Sequence, residues 1–243
     1  MGQSLIQGLI ASGLKHGLCI QGRTKARTLN VAQQYDVTPF HAQCQIDILI
    51  IAVKPHQVQD AIAPLMPYLA SSLIVSVLAG ISVATLKQYF SNQTIVRAMP
   101  NLAVAQQAGL TALYSEAETK IHLDYINELF QGLGQTCWLE AESSMHAATV
   151  FLGSAPAFFI RFYQGLLSQG EQALSHSICE SMLKNALIAA LDLLGQYAPE
   201  EAMQRVASKG GITQEGLVHL NSELDKLLDQ TITAALERSR AIE

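Results

Sequence analysis

Ile46-Asp47-Ile48-Leu49-Ile50-Ile51-Ala52-Val53-Lys54-Pro55 decides the fold. β-Branched and leucine side chains in an almost unbroken apolar run specify a strand covered on both faces, the environment of a parallel sheet. Pro55 lacks the amide that a ladder needs and ends the strand. Downstream, a helix over about 56–66 leads to a second buried strand, Leu73–Leu78, closed by Ala79-Gly80. Ser82 suits the N-cap of a helix through Tyr89, and Thr94–Ala98 reads as a further strand. Upstream, Leu5, Ile6, Leu9, Ile10 and Leu14 share one helical face. A short strand at Leu18–Gln21, a helix over Lys25–Tyr35 and an extended piece at Val37–Thr38 follow. This β-α-β-α order predicts an α/β doubly wound sheet, whose ligands sit beyond the C-terminal ends of the strands.

The pattern changes after Trp138-Leu139-Glu140. From Ser143 onward only helical patterns occur: an apolar segment through Ser168, then about 176–197, 199–207 and 222–238. Two domains are expected, residues 1–140 carrying the sheet and 141–243 all helical. Phe158-Phe159-Ile160 and Leu187-Ile188-Ala189-Ala190-Leu191 are too apolar for a small helical domain to hide alone, so a homodimer interface is expected there.

Composition excludes several function classes. Fifteen Lys+Arg against 20 Asp+Glu give a formal charge of −5, which argues against a nucleic-acid partner. The longest apolar run, Leu73 to Ala84, is too short to span a bilayer, so no membrane partner is expected. Nothing at the N-terminus reads as a signal peptide, and a cytoplasmic location is expected. Cys19, Cys44, Cys137 and Cys179 are far apart in sequence, form no C-x-x-C pair and read as free thiols. No metal site is expected. The absence of a G-x-S-x-G elbow and of paired carboxylates leaves hydrolase chemistry without support.

The first helix is preceded only by Met1-Gly2, where a dinucleotide-binding Rossmann domain has a strand and G-x-G-x-x-G. Gly2 stands where the third glycine belongs, at a helix N-terminus suited to a pyrophosphate. Without the backbone donors of the preceding turn, the chain as written is expected to bind a dinucleotide weakly. Gln21-Gly22-Arg23-Thr24 holds no carboxylate for ribose hydroxyls. Arg23 and Thr24 suit a 2′-phosphate instead, which favours NADP over NAD. Ala52 to Pro55 and Val77 to Ala79 end adjacent strands with small residues and a proline, leaving backbone open to a flat ring.

Further motifs follow: Arg97-Ala98-Met99-Pro100-Asn101, Gly109-Leu110-Thr111-Ala112-Leu113, Gly153-Ser154-Ala155-Pro156-Ala157 and Ser208-Lys209-Gly210-Gly211-Ile212-Thr213. With Ala52-Val53-Lys54-Pro55 and Ala79-Gly80-Ile81-Ser82, their order and spacing resemble the pyrroline-5-carboxylate reductase family along essentially the whole chain. The resemblance implies a Rossmann domain followed by a helical dimerisation and substrate-binding domain, a homodimer or a larger ring of dimers, and NADPH in preference to NADH. It implies reduction of 1-pyrroline-5-carboxylate to L-proline, the last step of proline biosynthesis. Cofactor contacts carry over to Gly2, Arg23, Thr24, Ala52, Val53, Lys54, Pro55, Val77, Leu78 and Ala79. Substrate contacts carry over to Ser208, Gly210, Gly211, Ile212 and Thr213. The consecutive amides of Gly210, Gly211 and Ile212 are expected to hold the substrate carboxylate, and Thr213 to meet the ring nitrogen.

The chain departs from the family pattern at Ala155, Phe158, Lys209 and Gln204. Lys209 and the neighbouring Arg205 bring basic groups near the expected carboxylate site. Two alternatives are a catalytically impaired reductase-like paralogue with a structural or regulatory role, and a reductase acting on another small anion.

Overall fold

The computed structural model describes residues 1–117 and 120–242, which form two compact units. The first comprises Met1–Ser154 together with the C-terminal residues from Leu236, and the second is Ala155–Ala235.

In the first unit the order is α1 (Gly2–Ala11), β1 (Cys19–Ile20), α2 (Lys25–Tyr35), β2 (Thr38–Pro39), β3 (Ile48–Ile51) and α3 (Val58–Ile62). Then come β4 (Leu73–Ser76), α4 (Val83–Lys87), β5 (Ile95–Pro100), β6 (Gly109–Tyr114), α5 (Lys120–Gln131), β7 (Gly134–Trp138) and α6 (Ser144–Ala148). A π-helical segment, Thr149–Ser154, closes the unit's main run. The sheet order is β3-β4-β5-β6-β7, with β3, β4 and β5 parallel and β6 antiparallel to β5. β1 and β2 form a separate parallel pair.

Apolar alternation along β4 explains why the sheet is covered on both faces. Ile74 packs with Leu69, Leu86 and Phe90, whereas its neighbour Val75 packs with Leu5, Leu9, Val96 and Phe130. Gly8 sets the position of α1: a Cβ there would collide with the Val104 carbonyl oxygen and come within 2.9 Å of Leu133. No ladder among the described residues joins β1 to β3, and Ile48, Leu49 and Ile50 of β3 stay only half buried.

The doubly wound reading holds, with three differences. The helix expected over 56–66 is broken, because Pro64 and Pro67 cannot donate to a helical ladder; α3 is short and flanked by 3₁₀ turns at Pro55–Gln57 and Met66–Tyr68. β6, α5 and β7 were not anticipated; β6 is buried along most of its length and reads too apolar to alternate. The last helix begins ten residues earlier than its periodicity suggested.

The second unit contains α7 (Ala155–Gly170), α8 (His176–Gln196), α9 (Pro199–Val206) and most of α10 (Ile212–Arg240). Its helices leave large apolar side chains uncovered: Phe159 is 70% exposed and Leu191 68%, with Ile160, Met182 and Ile188 also above half. The continuous helical run Ser144–Gly170 is long and apolar enough, by length and composition, to cross a membrane.

Candidate active site

In the first unit the C-terminal ends of β3, β4 and β5 lie along one edge, where the sequence-predicted residues Gly2, Ala52 to Pro55 and Val77 to Ala79 gather, while Arg23 and Thr24 follow β1 in the separate two-stranded pair. Ala52 to Pro55 follow β3, and Val77 to Ala79 follow β4. The α1 N-terminus reaches the same place, since a Cβ on Gly2 would lie 3.6 Å from the Ala52 Cβ. Met1 provides no side-chain cap, so the first-turn amides remain open to an anion. Leu78 is an exception: its side chain belongs to the core, which leaves only backbone to a ligand.

Thr28 shapes the turn between β1 and α2. Its hydroxyl accepts from the Gly22 N–H at 2.9 Å and donates to the Thr24 carbonyl at 3.0 Å. Thr24 caps α2 by accepting from the Arg27 N–H at 3.2 Å. Arg23, Lys25 and Arg27 are all exposed, and no acidic residue occupies the first turn of α2. Cations beside a helix N-terminus repel its dipole, an arrangement that an incoming phosphate stabilises.

Two buried oxygens at the sheet edge, Asn101 Oδ1 and Thr111 Oγ1, have no hydrogen-bond partner among the described residues. Asn101 follows β5, and Thr111 is in register with Pro100. Orphaned acceptors cost stability unless a ligand or water supplies donors. The open helix start, the basic turn and these oxygens therefore fit a dinucleotide carrying phosphates and a polar ring. The glycine turn expected for its pyrophosphate is not part of Met1–Glu243.

Sequence reasoning missed the polar buttress of this edge. Arg97 Nη1 meets Glu142 Oε1 at 2.8 Å, with side-chain exposures of 3% and 23%. The same oxygen accepts the Val83 N–H at 2.7 Å. Glu142 thus ties β5 to the start of α4, just after the Ala79-Gly80 turn. An arginine inside an apolar strand was the available signal, since such a charge is buried only with a partner. Gly80 has φ +69, and a Cβ there would lie 2.7 Å from Ile242 Cγ2, so the turn requires glycine.

In the second unit, Ser208 to Thr213 join α9 to α10. Gly210 adopts φ +71, and a Cβ on Gly211 would collide with Ser208 Oγ. The expectation that Gly210, Gly211 and Ile212 offer their amides together needs correction. The Gly210 N–H donates to Gln214 Oε1 at 2.6 Å and the Gly211 N–H to the Ser208 carbonyl at 2.9 Å. Free first-turn amides begin at Ile212, a residue 95% exposed. Thr213 is exposed in that turn, and its hydroxyl forms no hydrogen bond among the described residues. An open depression of about 380 Å³ is lined by Lys209, Gly210, Gly211, Gln214, Glu215 and Val218. Arg205 does not supply a free cation: it pairs with Glu201 at 2.9 Å and lies 3.6 Å above the Tyr197 ring.

Comparison with known proteins gives two family matches. Residues 142–242 match pyrroline-5-carboxylate reductase dimerisation, and residues 1–80 match NADP oxidoreductase, coenzyme F420-dependent. The pyrroline-5-carboxylate reductase of Pseudomonas aeruginosa is 30% identical, covering 98% of this chain and 92% of its own. Pyrroline-5-carboxylate reductase 2 of Bacillus subtilis is 26% identical, covering 100% and 91%. The solved pyrroline carboxylate reductase of Plasmodium falciparum with NADP bound superposes with a TM-score of 0.87 at 24% identity, covering 100% of this chain and 94% of that one. Sheet, helices, motifs and these likenesses agree: the chain belongs to the pyrroline-5-carboxylate reductase family.

Proposed function

We propose that this protein reduces 1-pyrroline-5-carboxylate to L-proline with NADPH. The observation that carries the reading is the paired equipment of the two units: a strand-end edge built for a dinucleotide in one, and an exposed hydroxyl beside free helix-start amides in the other. Residues 1–140 serve as the cofactor-binding part and 141–243 as the dimerisation and substrate-binding part. Gly2, Arg23, Thr24, Ala52 to Pro55 and Val77 to Ala79 hold the cofactor, which when bound supplies a hydride to the imine carbon. The amides from Ile212 onward hold the substrate carboxylate, with the Ser208 to Gly211 turn shaping their approach. The Thr213 hydroxyl meets the ring nitrogen: its oxygen accepts the N–H of the protonated imine, and its hydrogen can turn to the lone pair that nitrogen regains as imine becomes amine. The imine can arrive protonated, so the chemistry needs no strong side-chain acid, and positioning supplies most of the rate. The test is NADPH oxidation that depends on added pyrroline-5-carboxylate; its absence at high NADPH removes the reading.

Arg23→Ala is expected to weaken NADPH binding about tenfold while leaving NADH nearly unchanged, as loss of a charge-assisted phosphate contact requires. Fluorescence titration of both cofactors checks this, and equal losses would return Arg23 to a structural role. The protein is proposed to act in the cytoplasm as a homodimer, with rings of dimers as a further assembly. The uncovered faces of α7 and α8 then bury against a second copy rather than in a membrane. Ile188→Asp combined with Leu191→Asp is expected to convert the dimer to monomer in light-scattering measurements; a dimer that persists would place the interface elsewhere.

A further inference from the structure

We propose that Cys19 and Cys44 form a reversible disulfide site that accepts small-molecule disulfides as its oxidant. The sequence separates these residues by 25 positions, but the fold brings their Sγ atoms to 3.2 Å. Backbone bonds hold the approach. Cys19 pairs with Thr38 across the β1–β2 ladder, and the Phe40 N–H donates to the Ile20 carbonyl at 2.8 Å. The next residues curl back through a turn in which the Cys44 N–H donates to the His41 carbonyl at 2.9 Å. Cys19 is exposed and Cys44 half exposed, so a small oxidant can reach them. His41 Nδ1 accepts the Gln43 N–H at 3.3 Å, and no cluster of three metal-ligating side chains occurs among the described residues, which favours thiol chemistry over a cation.

Partial desolvation, then the hydrogen bond with Cys44, push the Cys19 thiol up to about 11. Cys44 can open the exchange, and the two thiols can trade roles without changing the product. The Cys44 thiolate attacks one sulfur of oxidised glutathione, forming a mixed disulfide and releasing one glutathione thiolate. Cys19 then gives its proton to solvent, attacks the Cys44 sulfur and expels the second thiolate, which is protonated. Two protein thiols are oxidised by two electrons, and one oxidised glutathione becomes two reduced molecules. The other two cysteines lack this arrangement: Cys137 is exposed on β7, and Cys179 is buried. The bond would tie β1, which leads into the Arg23–Thr24 turn, to the segment after β2. The proposal does not depend on the cofactor assignment.

The folded full-length chain is incubated with oxidised glutathione, its remaining thiols are alkylated, and its disulfides are mapped by mass spectrometry. The expected product is a Cys19–Cys44 linked peptide, at least about tenfold more abundant than any other cysteine pair and reversed by dithiothreitol. C44S should abolish it and leave a glutathione adduct on Cys19 or none, with the melting temperature of the reduced protein unchanged. A folded parent that yields no Cys19–Cys44 peptide, or links Cys137 or Cys179 equally well, overturns the proposal.

Discussion

Replacing Glu142 with alanine is expected to lower the unfolding free energy by about 3 kcal/mol. Removing one partner of a buried pair typically costs roughly 3–5 kcal/mol, because the remaining charge is left uncompensated in a poorly polarisable surrounding. The lower end applies because Glu142 keeps a 23% exposed side chain, while Arg97, at 3%, has almost no water to turn to. The substitution also removes the acceptor for the Val83 N–H at the start of α4. Urea denaturation followed by circular dichroism checks this, as a fall in the midpoint at unchanged slope. Glu142→Gln keeps an oxygen for both donors and should lose less than Glu142→Ala. A change below about 0.5 kcal/mol for the alanine variant would mean that Arg97 finds another partner at little cost.

Thr213→Ala is expected to reduce turnover of pyrroline-5-carboxylate by roughly 100-fold, the usual effect of losing a positioned hydrogen bond to a reacting atom. NADPH affinity should change less than about twofold, since that site is assigned to other residues. Thr213→Ser retains the hydroxyl and should restore most of the activity, a rescue that a purely structural threonine does not require. Equal turnover by the alanine variant and the parent would remove Thr213 from the chemistry.

How far the sequence was legible follows from which interactions are local. The strands β3, β4 and β5 were readable because continuous apolar runs such as Leu73–Ser76 have one stable environment, although β3 is mostly half buried rather than covered on both faces, and α2 was readable because Thr24 caps it. α3 was misjudged where Pro64 interrupts an otherwise plausible helix. The Gly210-Gly211-Ile212-Thr213 segment was legible as a turn, but not the use of its amides. That depends on Gln214 folding its side-chain oxygen back onto the Gly210 N–H, a choice no propensity records. The Arg97–Glu142 pair spans 45 residues and the Cys19–Cys44 approach spans 25. Both are products of strand register, which a single sequence expresses only after folding.

The uncovered apolar faces of α7 and α8 were visible in Phe158-Phe159-Ile160 and Leu187 to Leu191. These helices lie within residues 142–242, which match pyrroline-5-carboxylate reductase dimerisation, and they have too little partner surface within their own unit.

The most direct measurement supplies NADPH with both hydrogens at the nicotinamide C4 position replaced by deuterium, well above its dissociation constant, together with unlabelled pyrroline-5-carboxylate. The product is then analysed by mass spectrometry and NMR. Direct hydride transfer predicts L-proline carrying one deuterium on the former imine carbon, the ring carbon beside nitrogen that does not bear the carboxylate, formed in step with NADPH oxidation. Proline without the label, or NADPH consumed with no proline formed, would contradict the assignment.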